Sequence, residues 1–199
     1  MEKKVEIFNS FAEAERADKH NTLSPLIILI LVVFSACTGP LYTVAPIPKS
    51  NPSDAIKSAN ESLEITAAPI TEERAFKDFD ANLLLAGIVG VDVTLTNRSQ
   101  NTIRPNLVLK SNGSSWKRKS PKSALSRVMK YYGVRFYGKE SYRKTVESYE
   151  SVGLQHADLS PGEERRGIIF FDVRRDATQL GNLVLEVHGA GQPVLLTLN

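Results

Sequence analysis

The chain has 199 residues, 42% of them hydrophobic and 24% charged, with 25 Lys and Arg against 22 Asp and Glu. This is ordinary globular composition at a length that suits one domain plus appendages. The single cysteine, Cys37, excludes an internal disulfide framework and a cysteine-rich zinc site, since both need several sulfur ligands.

The first element is apolar. Leu26 to Phe34 is an unbroken hydrophobic run that Ser35 and Ala36 carry to Cys37, about 11 residues against the roughly 20 of a membrane-spanning helix. An apolar core of that size closed by small side chains has the form of a secretory signal.

The residues Phe34-Ser35-Ala36-Cys37, followed by Thr38-Gly39, resemble the lipobox of bacterial lipoproteins. The resemblance implies cleavage before Cys37, with the sulfur and the new amine carrying acyl chains such as palmitate. Phe34 stands where the family prefers an aliphatic residue. The leader ahead of the run holds five acids (Glu2, Glu6, Glu13, Glu15, Asp18) against four bases (Lys3, Lys4, Arg16, Lys19), so a downstream start or an atypical leader is expected. Three acyl chains hold a protein stably, because each buried methylene contributes about 0.8 kcal/mol and one chain alone is marginal. Thr38 after the cysteine, rather than Asp, implies the outer membrane where the host has two membranes. The alternatives are a cleaved signal without lipid and an uncleaved anchor.

Residues 1–36 are therefore expected to form the signal peptide, and 37–60 the lipidated cysteine and a flexible tether. Pro40, Pro46, Pro48 and Pro52 lie among Ser, Asn and Ala in this stretch, which offers too little apolar surface to offset the entropy of ordering.

From residue 61 to 199 alternation at period two predicts a β-rich domain. Leu63, Ile65 and Ala67 alternate with polar residues, as do Val91, Val93 and Leu95, the pattern of half-buried strands. Asn97 to Asn101 reads as a polar turn, Ile103 to Lys110 as a strand, and Asn112-Gly113 as a hairpin turn. Leu159-Ser160-Pro161-Gly162-Glu163 is a turn before the apolar strand Gly167 to Val173, since proline pre-sets one turn dihedral and glycine accepts the next. Two further strands are expected around Leu183 to Val187 and Val194 to Leu198, making about seven, the number in an immunoglobulin-like sandwich.

Between Lys110 and Pro161 the period changes. Leu125, Val128, Met129 and Tyr132, then Tyr142, Val146 and Tyr149, follow helical spacing and predict a short helical insertion near 115–152. The strand Val91 to Asn97 with the later turn Leu159 to Glu163 and strand Gly167 to Val173 looks like uncharacterised extracytoplasmic lipoproteins with immunoglobulin-like sandwiches. That resemblance implies a structural turn and no catalytic residues.

Charge is uneven. From Lys110 to Lys144 eleven basic residues meet one acid, Glu140. Lys117, Arg118, Lys119, Lys122, Arg127, Lys130, Arg135, Lys139, Arg143 and Lys144 form the candidate binding set. Clustered positive charge attracts polyanions, and each Lys or Arg near an anionic bilayer is worth about 1 kcal/mol. Anionic lipid or polysaccharide is the expected partner, ahead of nucleic acid, for which the interleaved Trp116, Tyr131, Tyr132, Phe136, Tyr137 and Tyr142 would supply stacking. A solvated insertion whose aromatics pack on the sandwich is the plain alternative.

Enzyme signals are poor. His156 and His188 lack metal-ligand spacing and no serine sits in a nucleophile elbow. Asp78-Phe79-Asp80-Ala81-Asn82 alternates oxygens like a calcium loop, but Leu83 stands where the sharp turn needs Gly and no Glu closes the set. The expectation is a membrane-anchored binding or structural lipoprotein without metal or cofactor. A wall-polymer hydrolase with dispersed active-site residues is the alternative from another class.

Overall fold

The computed structural model describes residues 42–48, 51–111, 114–134, 138–173, 182–189 and 191–198. Cys37, the apolar run and the turn Asn112-Gly113 lie outside the described residues.

The protein is mainly β, with two antiparallel sheets and a layer of helices. The strands are β1 (Ile56–Ala59), β2 (Leu63–Pro69), β3 (Ile88–Asn97), β4 (Asn106–Ser111), β5 (Ser114–Lys119), β6 (Glu164–Asp172), β7 (Leu183–His188) and β8 (Val194–Leu198). The helices are α1 (Glu72–Phe79), α2 (Pro121–Tyr131) and α3 (Lys139–Val152).

The strands run in the order β1-β2-β3-β6-β5-β4-β7-β8. β5 joins the two sheets: Ser114 to Trp116 pair with β4, while Lys117 to Lys119 pair with β6. A strand that changes partners in this way makes the corner between two sheets. Their inner faces share one apolar core, which includes Leu63 and Ile65 of β2, Val91 and Val93 of β3, Leu109 of β4, Phe171 of β6, Leu185 of β7 and Leu196 of β8.

The central strands β3 and β6 are buried on both sides, because the helices cover the outer face of their sheet. Ile169 and Phe171 enter the inner core, whereas Ile168 and Phe170 meet Phe79, Leu125, Val128 and Tyr149 in a second one. Successive strand residues point to opposite faces, so a strand covered on both sides reads as the continuous run Gly167-Ile168-Ile169-Phe170-Phe171. The aromatic rings of Phe79, Tyr149 and Phe170 meet pairwise with centroids 5.6–6.0 Å apart.

The helix ends follow local chemistry. Thr71 caps α1 by accepting from the Arg74 N–H, and Glu72 and Glu73 occupy its positive end. Asp80 ends it in a left-handed conformation, so the Asp78–Asn82 segment read above against a calcium loop is a helix terminus whose Asp78 pairs with Arg74 at 3.0 Å. Ser120 caps α2, with Pro121 at its first position.

Three differences from the sequence expectation stand out. Residues 115–119, the start of the expected helical insertion, belong to the strand Ser114–Lys119. α1 was not anticipated. Two stretches of the expected tether are structured: Ile56–Ala59 pairs with β2, and Tyr42 to Pro48 lies along the helical layer. There Val44 is buried, the Val44 N–H donates to Ser148 Oγ at 3.2 Å and the Ala45 N–H donates to the Asp78 carbonyl at 2.8 Å. Such a segment gains its order from a pre-formed surface, which its own composition does not report.

Candidate functional site

The basic set does not form one face. Arg127 and Lys119 share Asp172, at 3.1 and 3.0 Å. On α3, Arg143 pairs with Glu140 at 2.5 Å and Glu147 at 2.6 Å, and Lys144 lies 3.7 Å from Glu140. These exposed pairs spread the charge of α3 along its own surface. Lys122 and Lys139 border a hollow that also holds Glu140, Glu147 and Glu150. Lys130 is exposed at the far end of α2. Lys117 faces Asp172 in the register of β5 with β6, its side chain lying outside what is described, as does Arg135.

Arg118 and Lys119 are different, because they converge with residues outside the basic segment. They line a cleft of about 520 Å³ together with Ser120, Pro121, Glu150, and the chain from Gly153 to His156. Its floor depends on two close approaches. A methyl group on Gly153 would collide with the Pro121 ring, and one on Gly167 would come within 2.6 Å of the Leu154 backbone, so both positions need a residue without Cβ. The Leu154 N–H donates to the Ile168 carbonyl at 2.9 Å, fixing this chain to β6, and Arg118 donates to the Leu154 carbonyl.

Burial holds the Arg118 guanidinium below its ordinary value. His156 is also held below its ordinary value, first by partial burial and then by the positive charges of Arg118 and Arg104. The positive charges beside this ring are a secondary cause of the shift, and positive charge gathered in a concavity attracts anions. Lys119 and the N-terminal end of α2, capped by Ser120 and carrying no acid in its first turn, add to it. Glu150 is the one carboxylate among the cleft's described lining residues. The arrangement can hold an oxyanion through Arg118, Lys119 and His156. The sequence singles out His156 only as a histidine without metal-ligand spacing, and neither it nor Glu150 nor the Leu154 carbonyl is joined to the basic segment by any spacing.

His188 lies elsewhere, 3.2 Å from Glu186 on β7. No group of three His, Cys, Asp or Glu side chains among the described residues is placed to hold a metal, and no helix among them is long and apolar enough to cross a membrane.

A second cleft, of about 440 Å³, opens where the two apolar cores approach each other, between Ile70, Leu83, Ile88, Leu183 and Leu198. Its polar lining includes Thr71, Asn82, Asn182 and Glu72, and Glu72 accepts from Asn82 Nδ2 at 2.7 Å.

No protein-family model matches the chain, and no curated protein matches it in sequence. Two solved structures are similar. A conserved hypothetical protein from Bacillus anthracis is 13% identical with a TM-score of 0.35, over 68% of this chain and 90% of that one. A functionally unknown protein from Listeria monocytogenes EGD-e is 9% identical with a TM-score of 0.34, over 66% of this chain and 69% of that one. Likeness at this level assigns neither fold nor activity.

Proposed function

We propose that the chain is an envelope lipoprotein, anchored by acylation of Cys37, whose immunoglobulin-like sandwich binds an anionic envelope component in the Arg118–His156 cleft. The lipobox-like residues Phe34 to Cys37 support the anchor. Strand order supports the immunoglobulin-like reading: β2-β3-β6-β5 and β4-β7-β8 correspond to the A-B-E-D and C-F-G sheets of a constant-type domain, with β1 added at the edge and α2 and α3 between β5 and β6.

The observation that carries the binding role is the convergence of Arg118 and His156 on one concavity, with Lys119 at its edge also paired with Asp172, while Arg127, Arg143 and Lys144 engage neighbouring carboxylates and do not line it. Arg presents a fork that matches phosphate and carboxylate oxygens, and such charge-assisted contacts are the strong ones.

Titration of the chain with lipopolysaccharide and with phosphatidylglycerol vesicles tests this. Affinity should fall as salt rises, since exposed charges are screened over about 8 Å at physiological ionic strength. Arg118→Gln should weaken binding roughly tenfold, the loss of one hydrogen bond to a charged group. Binding indifferent to both would refute the cleft as the site.

A further inference from the structure

We infer that the end of the domain formed by the α1 C-terminus, the turn at Asn82–Ala86 and the α2 C-terminus sits on the bilayer. The inference rests on the lipoprotein reading and goes beyond it by naming the surface that meets lipid.

Six large apolar or aromatic side chains stand exposed among the described residues: Phe76, Leu84, Leu85, Tyr131, Tyr132 and Leu195. Four of them, Leu84, Leu85, Tyr131 and Tyr132, are tied together through Asn82, and Phe76 lies close to them along the chain. The Tyr131 and Tyr132 rings meet edge to face with centroids 5.0 Å apart. The Asn82 N–H donates to Tyr132 Oη at 2.9 Å. Asn82 Oδ1 in turn accepts from the Leu85 N–H at 3.0 Å, holding Leu84 and Leu85 in the turn. Phe76 lies on the last turn of α1, where its carbonyl accepts from the Asp80 N–H just before that turn. Leu85 is 55% and Phe76 51% exposed, an arrangement that costs free energy in water and marks interaction surfaces when it is contiguous.

The chain's path names the occupant. Tyr42 stacks on Tyr132 with ring centroids 5.3 Å apart, so the segment leading back to Cys37 joins the domain at this patch. Cys37 precedes Tyr42 by five residues, and five residues span at most about 18 Å when fully extended. An acylated Cys37 would therefore hold the patch within about 18 Å of the lipid headgroups, where tyrosines are favoured for their apolar ring and polar tip. Lys77 and Lys130, both exposed, lie at this end beside one exposed acid among the described residues, Asp80, a net positive charge that suits an anionic headgroup layer. Stable anchoring of a lipidated protein commonly combines acyl chains with a second contact of this kind. The Arg118–His156 cleft lies at the opposite end of α2, whose 11 residues extend about 16 Å, so the two surfaces do not overlap.

The test uses the full mature chain in vesicles of phosphatidylethanolamine and phosphatidylglycerol, with Leu85→Cys or Leu195→Cys labelled by a nitroxide. Acylated Cys37 takes no label, and intact mass reports both modifications. The nitroxide at position 85 should collide with a water-soluble nickel chelate at least about fivefold less often than at 195, and more often with oxygen, because a surface contact buries side chains by about 5–10 Å. Equal nickel collision at both positions on a chain whose mass shows the acyl chains would overturn the patch and leave the lipoprotein reading standing. Shielding at 85 from nickel and oxygen alike would overturn it in favour of a protein partner or a second copy. A mass with two nitroxides and no acyl chain would overturn both.

Discussion

Arg166 donates two hydrogen bonds, at 3.0 and 2.8 Å, to the buried carboxylate of Asp92 across the β3–β6 pair. Arg74 of α1 adds a third at 2.6 Å, and Arg166 also donates to the Pro48 carbonyl at 2.7 Å. One carboxylate thus ties the outer sheet, α1 and the N-terminal segment together.

Asp92→Asn keeps the shape and removes the charge that both guanidinium groups face. Breaking a buried pair by neutralising one partner typically costs about 3–5 kcal/mol. Arg74 retains Asp78, so a loss near the lower end, about 3 kcal/mol, is expected. Urea unfolding of the two proteins measures it; a loss under about 0.5 kcal/mol, the ordinary scale for surface changes, would contradict the role.

Gly167→Ala should destabilise the protein by about 1–3 kcal/mol, the usual cost of forcing a methyl into packed surroundings, because the methyl would meet Leu154 backbone atoms. Since Leu154 carries the carbonyl that Arg118 engages, the variant should also weaken anion binding at temperatures where it remains folded. Thermal unfolding with a parallel binding titration checks both; unchanged affinity in a destabilised protein would separate the cleft from this contact.

Much of the two-sheet β structure was legible because its strands keep a clean alternation. Leu63, Ile65 and Ala67 of β2 and Val194, Leu196 and Leu198 of β8 all point into the inner core. The helical spacing of Leu125, Val128 and Met129 likewise marks the buried face of α2. β5 was hidden because Ser-Ser-Trp-Lys-Arg-Lys has no apolar alternation, and neighbours on both sides hold it. In α1 only Ala75 and Phe79 are buried, too few to reveal a period. The cleft was half legible: Arg118 and Lys119 stood in the basic segment, but the carboxylates that divide that segment's charge, Glu147 and Asp172, lie beyond it in sequence and reach it only through the fold.

His156 should titrate below the ordinary imidazole value of 6.5. The sign follows from a proton bound more weakly in the folded state. Its contribution to stability is present above 6.5 and is lost as pH falls through the lowered folded value. Inorganic phosphate in the cleft would offset the charges of Arg118 and Arg104 and move the titration upward. Proton NMR of the ring signals across pH, with and without phosphate, measures this; a midpoint unmoved by phosphate would count against the cleft as an anion site.

The proposed acylation of Cys37 is what places this domain at the membrane. Cells expressing the wild-type chain and Cys37→Ala, fed a clickable fatty acid, should differ completely: label on the wild type and none on the variant. Equal label on both chains, or none on the wild type, would contradict the lipid anchor and with it the placement of this domain at the membrane.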